Sequence, residues 1–148
     1  LGLVLLGDGP ERKKYENYCR ENKINNVFFE GFVQQEDLSQ FYASADIFVL
    51  PSLSETWGIV INEAMAFGLP IISTDAAGAT YDLVADSRNG SVVKAGNADH
   101  LYEKMKRLCD NQELREKMGR ESLKIIEDYT PEKWAQSFIY GGENLLKI

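Results

Sequence analysis

Two carboxylates, Glu55 and Glu63, stand eight positions apart in the stretch Pro51-Ser-Leu-Ser-Glu55-Thr-Trp-Gly58-Ile-Val-Ile-Asn-Glu63-Ala-Met-Ala-Phe-Gly68-Leu-Pro70. Were the whole interval helical, the rise between them would be ~12 Å. A loop folded back at Glu55 shortens it. That span suits a ligand with hydroxyl-rich groups at both ends and negative charge between. Carboxylates accept hydrogen bonds from hydroxyls, and a ribose diol offers two donors to Glu63. Between the two acids, Gly58, Ile59 and Val60 would supply the unpaired N–H groups of a helix N-terminus, which favour a diphosphate. Gly58 lacks a side chain, so backbone can approach ligand closely. A nucleotide sugar has this layout of ribose, diphosphate and hexose. Spacing alone is somewhat better served by an exposed Glu63 and a first-turn Glu55 that favours the helix dipole. Ile61, Ala64 and Met65 turn Glu63 toward the buried side, where a carboxylate needs a partner.

The surrounding pattern supplies the frame. Leu1–Leu6 is an apolar run that reads as a buried strand, ending in Gly7-Asp-Gly-Pro10. Val27-Phe-Phe29, Ile47–Leu50, Pro70–Ser73 and Ser91–Val93 are further short strands. Helices are expected between them: from Pro10 with Tyr15, Tyr18 and Cys19 on one face, over Leu38–Ala45, over Gly58–Gly68, and a short one after Ala77-Gly78 carrying Tyr81 and Asp82. Three more follow, with Leu101, Met105 and Leu108, with Leu114, Met118 and Ile125, and with Trp134 and Phe138. Gly68 with Pro70 is a helix stop, and Asn89-Gly90 a turn. Short apolar strands alternating with helices predict an α/β domain, a doubly wound and mostly parallel sheet covered on both faces. Ligands of such sheets bind at the carboxyl ends of the strands, so function is expected in the loops after Leu6, Phe29, Leu50 and Ser73.

The 148 residues suit a single domain, 1–148. A net charge of −7 without a basic patch argues against nucleic acid. Glu11-Arg-Lys-Lys14 reads as a solvated helix face. No apolar run approaches the ~20 residues of a membrane span. Cys19 and Cys109 show neither metal spacing nor a disulfide framework, which fits a reducing, cytoplasmic setting. No Asp-x-Asp pair is present, so no metal is expected. His100, in a first helical turn, is expected to face solvent. Tyr15, Tyr18, Phe41, Tyr42, Met105 and Met118 are expected in the core.

The central stretch resembles the signature of retaining GT-B glycosyltransferases of family four, Pro-Ser-x-x-Glu-x-aromatic-Gly…Glu-Ala-Met-Ala-x-Gly-x-Pro. The matching residues are Pro51, Ser52, Glu55, Trp57, Gly58, Glu63, Ala64, Met65, Ala66, Gly68 and Pro70. Gly7–Pro10, Val27–Val33, Ala45–Pro51, Ala77-Gly78 with Asp82, Asn89-Gly90 and Trp134 are similar to family positions too. The resemblance implies a Rossmann-like GT-B C-terminal domain that binds a nucleotide-diphosphate sugar. It implies that Glu55 binds the donor sugar's hydroxyls, with Trp57 beside the sugar. Glu63 would hold the ribose, and the N–H groups of Gly58, Ile59 and Val60 would meet sugar hydroxyls and diphosphate. Val33 would lie near the base, and the Gly7–Gly9 loop toward the same cleft. No cofactor is implied.

Three departures stand out. Trp57 replaces the usual Phe, and Ala77 and Asp82 replace the commoner Gly and Glu. The family's diphosphate-clamping Arg and Lys would lie upstream of Leu1, with the acceptor-binding N-terminal domain. The expected partners are thus a nucleotide sugar, that N-terminal domain, and an acceptor glycan or glycolipid. Polysaccharide, lipopolysaccharide or glycolipid synthesis is the expected use, with any membrane contact at the inner face made by the other half. Glu55 is either a nucleophile, by analogy with retaining glycosidases, or a sugar-binding group beside a front-face attack assisted by the leaving phosphate; its place on the sugar hydroxyls favours the second. Other classes on this fold are a non-catalytic nucleotide-binding module, a sugar epimerase with a different glutamate and histidine arrangement, and a phosphorylase. A phosphorylase needs a pyridoxal-bearing lysine, and no lysine lies between Lys23 and Lys94.

Overall fold

Each strand is a short apolar run and each pairs in parallel with its neighbour, as crossover helices require. The computed structural model describes residues 1–145 and divides into two compact units, Leu1–Ala43 and the chain from Ser44 on. In the first, β1 (Leu3–Leu6) is followed by α1 (Arg12–Glu21), β2 (Val27–Gly31) and α2 (Gln35–Ser44). The register runs Leu3↔Val27, Val4↔Phe28 and Leu5↔Phe29, then slips to Leu6↔Gly31. Gly31 has φ +72°, a backbone state that glycine adopts freely, and it carries that slip.

The second unit holds β3 (Phe48–Leu50), α3 (Ile59–Ala66), β4 (Ile71–Thr74), α4 (Gly78–Leu83), β5 (Gly90–Val93), α5 (Ala98–Cys109), α6 (Gln112–Ile126) and α7 (Pro131–Leu145). Its strand order is β3-β4-β5, and all four residues of the central β4 are buried. Ile72, Val93, Leu108 and Met118 form the core cluster, with Ile47, Val49, Leu101, Met105 and Leu114 packed against it. Helix α3 buries Ile61, Ala64 and Met65, the face its periodicity marks. It ends where the Gly68 N–H donates to the Met65 carbonyl at 2.9 Å and the Leu69 N–H to the Ala64 carbonyl at 3.2 Å. There α6 passes very close: a Cβ added to Gly119 would stand 2.1 Å from the Gly68 carbonyl oxygen. The buried Ser122 hydroxyl donates to the Leu69 carbonyl at 2.7 Å.

Three expectations of burial are corrected. Leu3, Val4, Leu5 and Leu6 are 37–47% exposed, not buried. A continuous apolar strand reads as covered on both faces, but β1 has one neighbour in a two-stranded ribbon, which covers little surface. Tyr15 and Tyr18 are exposed, whereas Tyr42 is buried and Phe41 half-buried. Helical spacing tells which residues share a face, not whether that face is covered. His100 is half-buried, because its Nδ1 accepts the Lys94 N–H at 3.4 Å.

Candidate functional site

After β3 the chain runs past Pro51 into a loop that the next strand's loop holds in place. Glu55 makes a parallel bridge with Ala77: its N–H donates to the Ala76 carbonyl at 3.0 Å, and its carbonyl accepts the Gly78 N–H at 3.1 Å. Two residues on, the Trp57 carbonyl accepts the Ala79 N–H at 2.8 Å. The backbone of Glu55 is therefore spent on structure, while its side chain is exposed. Its Oε1 accepts the Trp57 N–H at 3.3 Å. The Trp57 indole in turn donates from Nε1 to Asn62 Oδ1 at 3.2 Å, so α3 orients the ring beside Glu55.

Gly58 turns the loop into the helix. Its φ of +96° and ψ of 60° lie where a side chain is strained. A Cβ there would also meet Leu50 Cδ2 at 3.1 Å and Glu55 Cγ at 3.3 Å. Ile59 and Val60 open α3, where a helix leaves its first N–H groups without an internal carbonyl. The Ile61 N–H already closes a turn onto the Gly58 carbonyl at 2.9 Å. Glu63 lies one turn into the helix and is half-buried between the fully buried Ile61 and Ala64. The second unit thus brings Glu55, Trp57, Gly58, Ile59, Val60 and Glu63 together on one loop and one helix. An exposed carboxylate, an aromatic face, a helix N-terminus and a half-buried carboxylate follow each other along it. Such an arrangement can accept from hydroxyls at both ends and hold an anion between them.

The remaining expected residues belong to the first unit. Gly7 follows β1 with φ +111° and donates its N–H to the Gly31 carbonyl at 2.7 Å. The Gly9 N–H donates to Asp8 Oδ1 at 2.7 Å. Val33 is half-buried between β2 and α2. All three lie at carboxyl ends of parallel strands, as expected for ligand-facing loops.

Two contributors escape a sequence reading of roles. Gly78 is one: a Cβ there would stand 2.2 Å from the Thr56 carbonyl oxygen, so only glycine lets the loop of Glu55 lie against it. The sequence gives Ala77-Gly78 only as a turn into a helix. Arg12 is the other. The basic stretch reads as solvated, yet its guanidinium donates from Nη2 to the Phe29 carbonyl at 2.9 Å and from Nε to Glu16 Oε1 at 2.8 Å. Asp82 is exposed; its backbone carbonyl accepts the Tyr129 hydroxyl at 3.1 Å. Among the described residues, no three His, Cys, Asp or Glu are grouped where they could hold a metal ion. No described helix is long and apolar enough to cross a membrane.

Comparison with known proteins places the chain in a family. A family model described as glycosyl transferases group 1 matches residues 1–124. The sulfoquinovosyl transferase of Arabidopsis thaliana is 33% identical over 130 residues, covering 86% of this chain and 25% of that protein. The chain therefore spans about a quarter of that relative's length. Among solved structures, the C-terminal domain of a glycosyl transferase group 1 family protein from Francisella tularensis matches with a TM-score of 0.78 and 25% identity, over 85% of this chain and 68% of that one. An Anabaena protein solved in complex with UDP-glucose matches with a TM-score of 0.75 and 25% identity, over 86% of this chain and 36% of that one.

Proposed function

This chain belongs to the glycosyl transferases group 1 family, and on that footing we propose that it is the donor-binding half of a glycosyltransferase. The donor is a nucleotide-diphosphate sugar. The observation that carries the proposal is the pairing of Glu55 with Ala77, which fixes one carboxylate ahead of the α3 N-terminus while Glu63 stands one turn inside it. In this reading Glu63 accepts from the ribose diol. The N–H groups of Gly58, Ile59 and Val60 receive diphosphate and sugar hydroxyls. Glu55 and Trp57 hold the sugar. The Anabaena relative, solved with UDP-glucose, supports a ligand of that class.

The reaction is transfer of the sugar to a glycan or glycolipid acceptor with retention. Catalysis rests on positioning and on stabilising the charge that grows on the leaving diphosphate. Glu55 holds hydroxyls while the acceptor attacks the face the diphosphate leaves. The leaving phosphate takes the acceptor's proton, and no metal or cofactor takes part. A second domain binds the acceptor, makes any contact with the inner membrane face, and completes the diphosphate site. Work on polysaccharide, lipopolysaccharide or glycolipid in the cytoplasm fits this chemistry.

Calorimetric titration of the full-length protein with UDP, GDP and ADP tests the reading. One nucleotide is expected to bind in preference to the others. Glu63→Ala is expected to weaken all three by about tenfold or more, the worth of a charge-assisted pair of hydrogen bonds. Unchanged affinities in that variant would remove Glu63 from the ribose and the proposal with it.

A further inference from the structure

The pairing of β3 with β4 breaks and resumes out of phase. It runs Phe48↔Ile71, Val49↔Ile72 and Leu50↔Ser73, then returns as the single bridge of Glu55 with Ala77. Between those points one chain spends Pro51, Ser52, Leu53 and Ser54, and the other only Thr74, Asp75 and Ala76. In a parallel ladder every second residue bonds the neighbouring strand through its backbone. The Phe48 N–H donates to the Pro70 carbonyl at 3.0 Å, so the series continues through Leu50 to Ser52 and Ser54. In phase, the Ala76 carbonyl and the Gly78 N–H would serve Ser54. Both serve Glu55 instead. A slip of one residue changes which side chain stands at a given place on a strand. The extra residue thus decides that a carboxylate, and not a hydroxymethyl group, stands ahead of α3.

Packing does not hold that offset. Leu53 is 75% exposed, and Ser54 and Glu55 are exposed too. A cavity of about 190 Å³, lined by Pro51, Leu53, Thr74, Val93 and Leu101 among others, lies against the arch of Pro51–Ser54 and leaves it room to shift.

The break is spanned by Thr74, which is 3% exposed. Its Oγ1 donates to the Ser52 carbonyl at 2.6 Å, the group that an in-phase ladder would give to the Ala76 N–H. Its own carbonyl accepts the Ala77 N–H at 3.4 Å and closes the turn whose Ala76 and Gly78 bond Glu55. That turn is itself fixed. The Asp75 N–H donates to the Val93 carbonyl at 2.9 Å, Asp75 Oδ1 accepts the Ala95 N–H at 2.8 Å, and the Asp75 carbonyl accepts the Tyr81 hydroxyl at 2.8 Å. An arch tied to a fixed turn at both Ser52 and Glu55 cannot slip by a residue; tied at Glu55 alone, it can. Every residue involved belongs to the second unit.

We infer that Thr74 is a positioning residue for the sugar end of the donor site: its hydroxyl holds the out-of-phase register that sets Glu55, rather than Ser54, opposite Ala77. Thr74 does not touch the ligand. The inference rests on the donor-binding reading given above. Within that reading it separates the two acids, since Glu63 stands on α3 and serves the other end.

Calorimetric titration of the full-length protein compares each bare nucleotide with its sugar nucleotide: UDP with UDP-glucose, GDP with GDP-mannose, ADP with ADP-glucose. The pair that wild type binds best is then followed. Thr74→Val keeps the shape and loses the hydroxyl. It is expected to weaken the sugar nucleotide about tenfold more than the bare nucleotide, as Glu55→Ala does, the worth of a charge-assisted hydrogen bond to the sugar. Glu63→Ala is expected to weaken both in parallel. Thr74→Ser keeps the hydroxyl and is expected to restore the wild-type ratio. A merely structural threonine would lower the melting temperature and leave the ratio unmoved. Thr74→Ala also removes the hydroxyl and is read in the same way if Thr74→Val does not fold. Amide exchange of wild type needs no variant: the Glu55 and Gly78 N–H groups are expected to be protected although the loop is exposed. A ratio within twofold of wild type in the folded Thr74→Val or Thr74→Ala protein, a Thr74→Ser that behaves as Thr74→Val, a Glu55→Ala that leaves the ratio unchanged, or unprotected Glu55 and Gly78 N–H groups would each overturn the inference and leave Glu63 on the ribose. A wild type that binds no nucleotide, or a silent Glu63→Ala, would overturn the donor reading and the inference together.

Discussion

The carbonyl oxygen of Thr56 rests on the α-carbon of Gly78, so close that a methyl group there would stand 2.2 Å from it. This contact lets the Glu55 loop bond to the Ala76–Ala79 backbone. Gly78→Ala is expected to push that loop away and misplace both Glu55 and Trp57. Overpacking of this kind costs about 1–3 kcal/mol. The measurement is nucleotide-sugar affinity in the full-length protein beside a thermal melt: affinity is expected to fall by more than the melt explains. A variant that binds as wild type does would separate the contact from the site.

The tail of α3 makes a comparable prediction. Gly119→Ala places a methyl 2.1 Å from the Gly68 carbonyl oxygen, and Ser122→Ala removes the donor to the buried Leu69 carbonyl. Each is expected to destabilise by roughly 1–3 kcal/mol, the first by overpacking and the second by leaving a buried acceptor unpaired. Urea midpoints of the single variants check both. Midpoints equal to wild type would mean that α3 and α6 can slide apart freely.

The third prediction concerns pH. The Lys124 ammonium, and after it the Arg88 guanidinium at 2.9 Å, hold the Glu121 carboxyl below the usual carboxylate range. Its folded value is depressed, so the pair's contribution is present above the unfolded value of about 4.3 and lost as pH falls through the folded one. Wild type is expected to lose melting temperature more steeply than Glu121→Gln on acidification below that point. Both cations are largely exposed, so salt is expected to shrink the difference. Parallel curves for the two proteins would show that Glu121 carries none of the acid sensitivity.

Much of this was legible in advance where local chemistry decides the outcome. Gly68 stops α3 because a left-handed residue is needed there. Ile61, Ala64 and Met65 marked the buried face that leaves Glu63 half-covered. What escaped was non-local. The Glu55–Ala77 bridge joins residues whose pairing follows no periodicity, and the contact of Gly78 with Thr56 exists only because of it. Arg12 stood among charged neighbours, and nothing nearby in sequence announces that its partner is a carbonyl seventeen positions away. The exposure of Leu3–Leu6 was misread for a related reason: an apolar run records the cover a strand is suited to, and one neighbouring strand is what it has here.

The close seating of Gly119 on Gly68 has a consequence for how this scaffold can diversify. A rod bolted at its tail cannot be re-aimed from its head. A group of different bulk at the head cannot be accommodated by sliding α3, since its far end has no room to travel. Change is channelled into side-chain reach at the head, a longer or shorter acid at position 63 or a wider or narrower ring at position 57. Trp57 stands where the frame leaves that freedom.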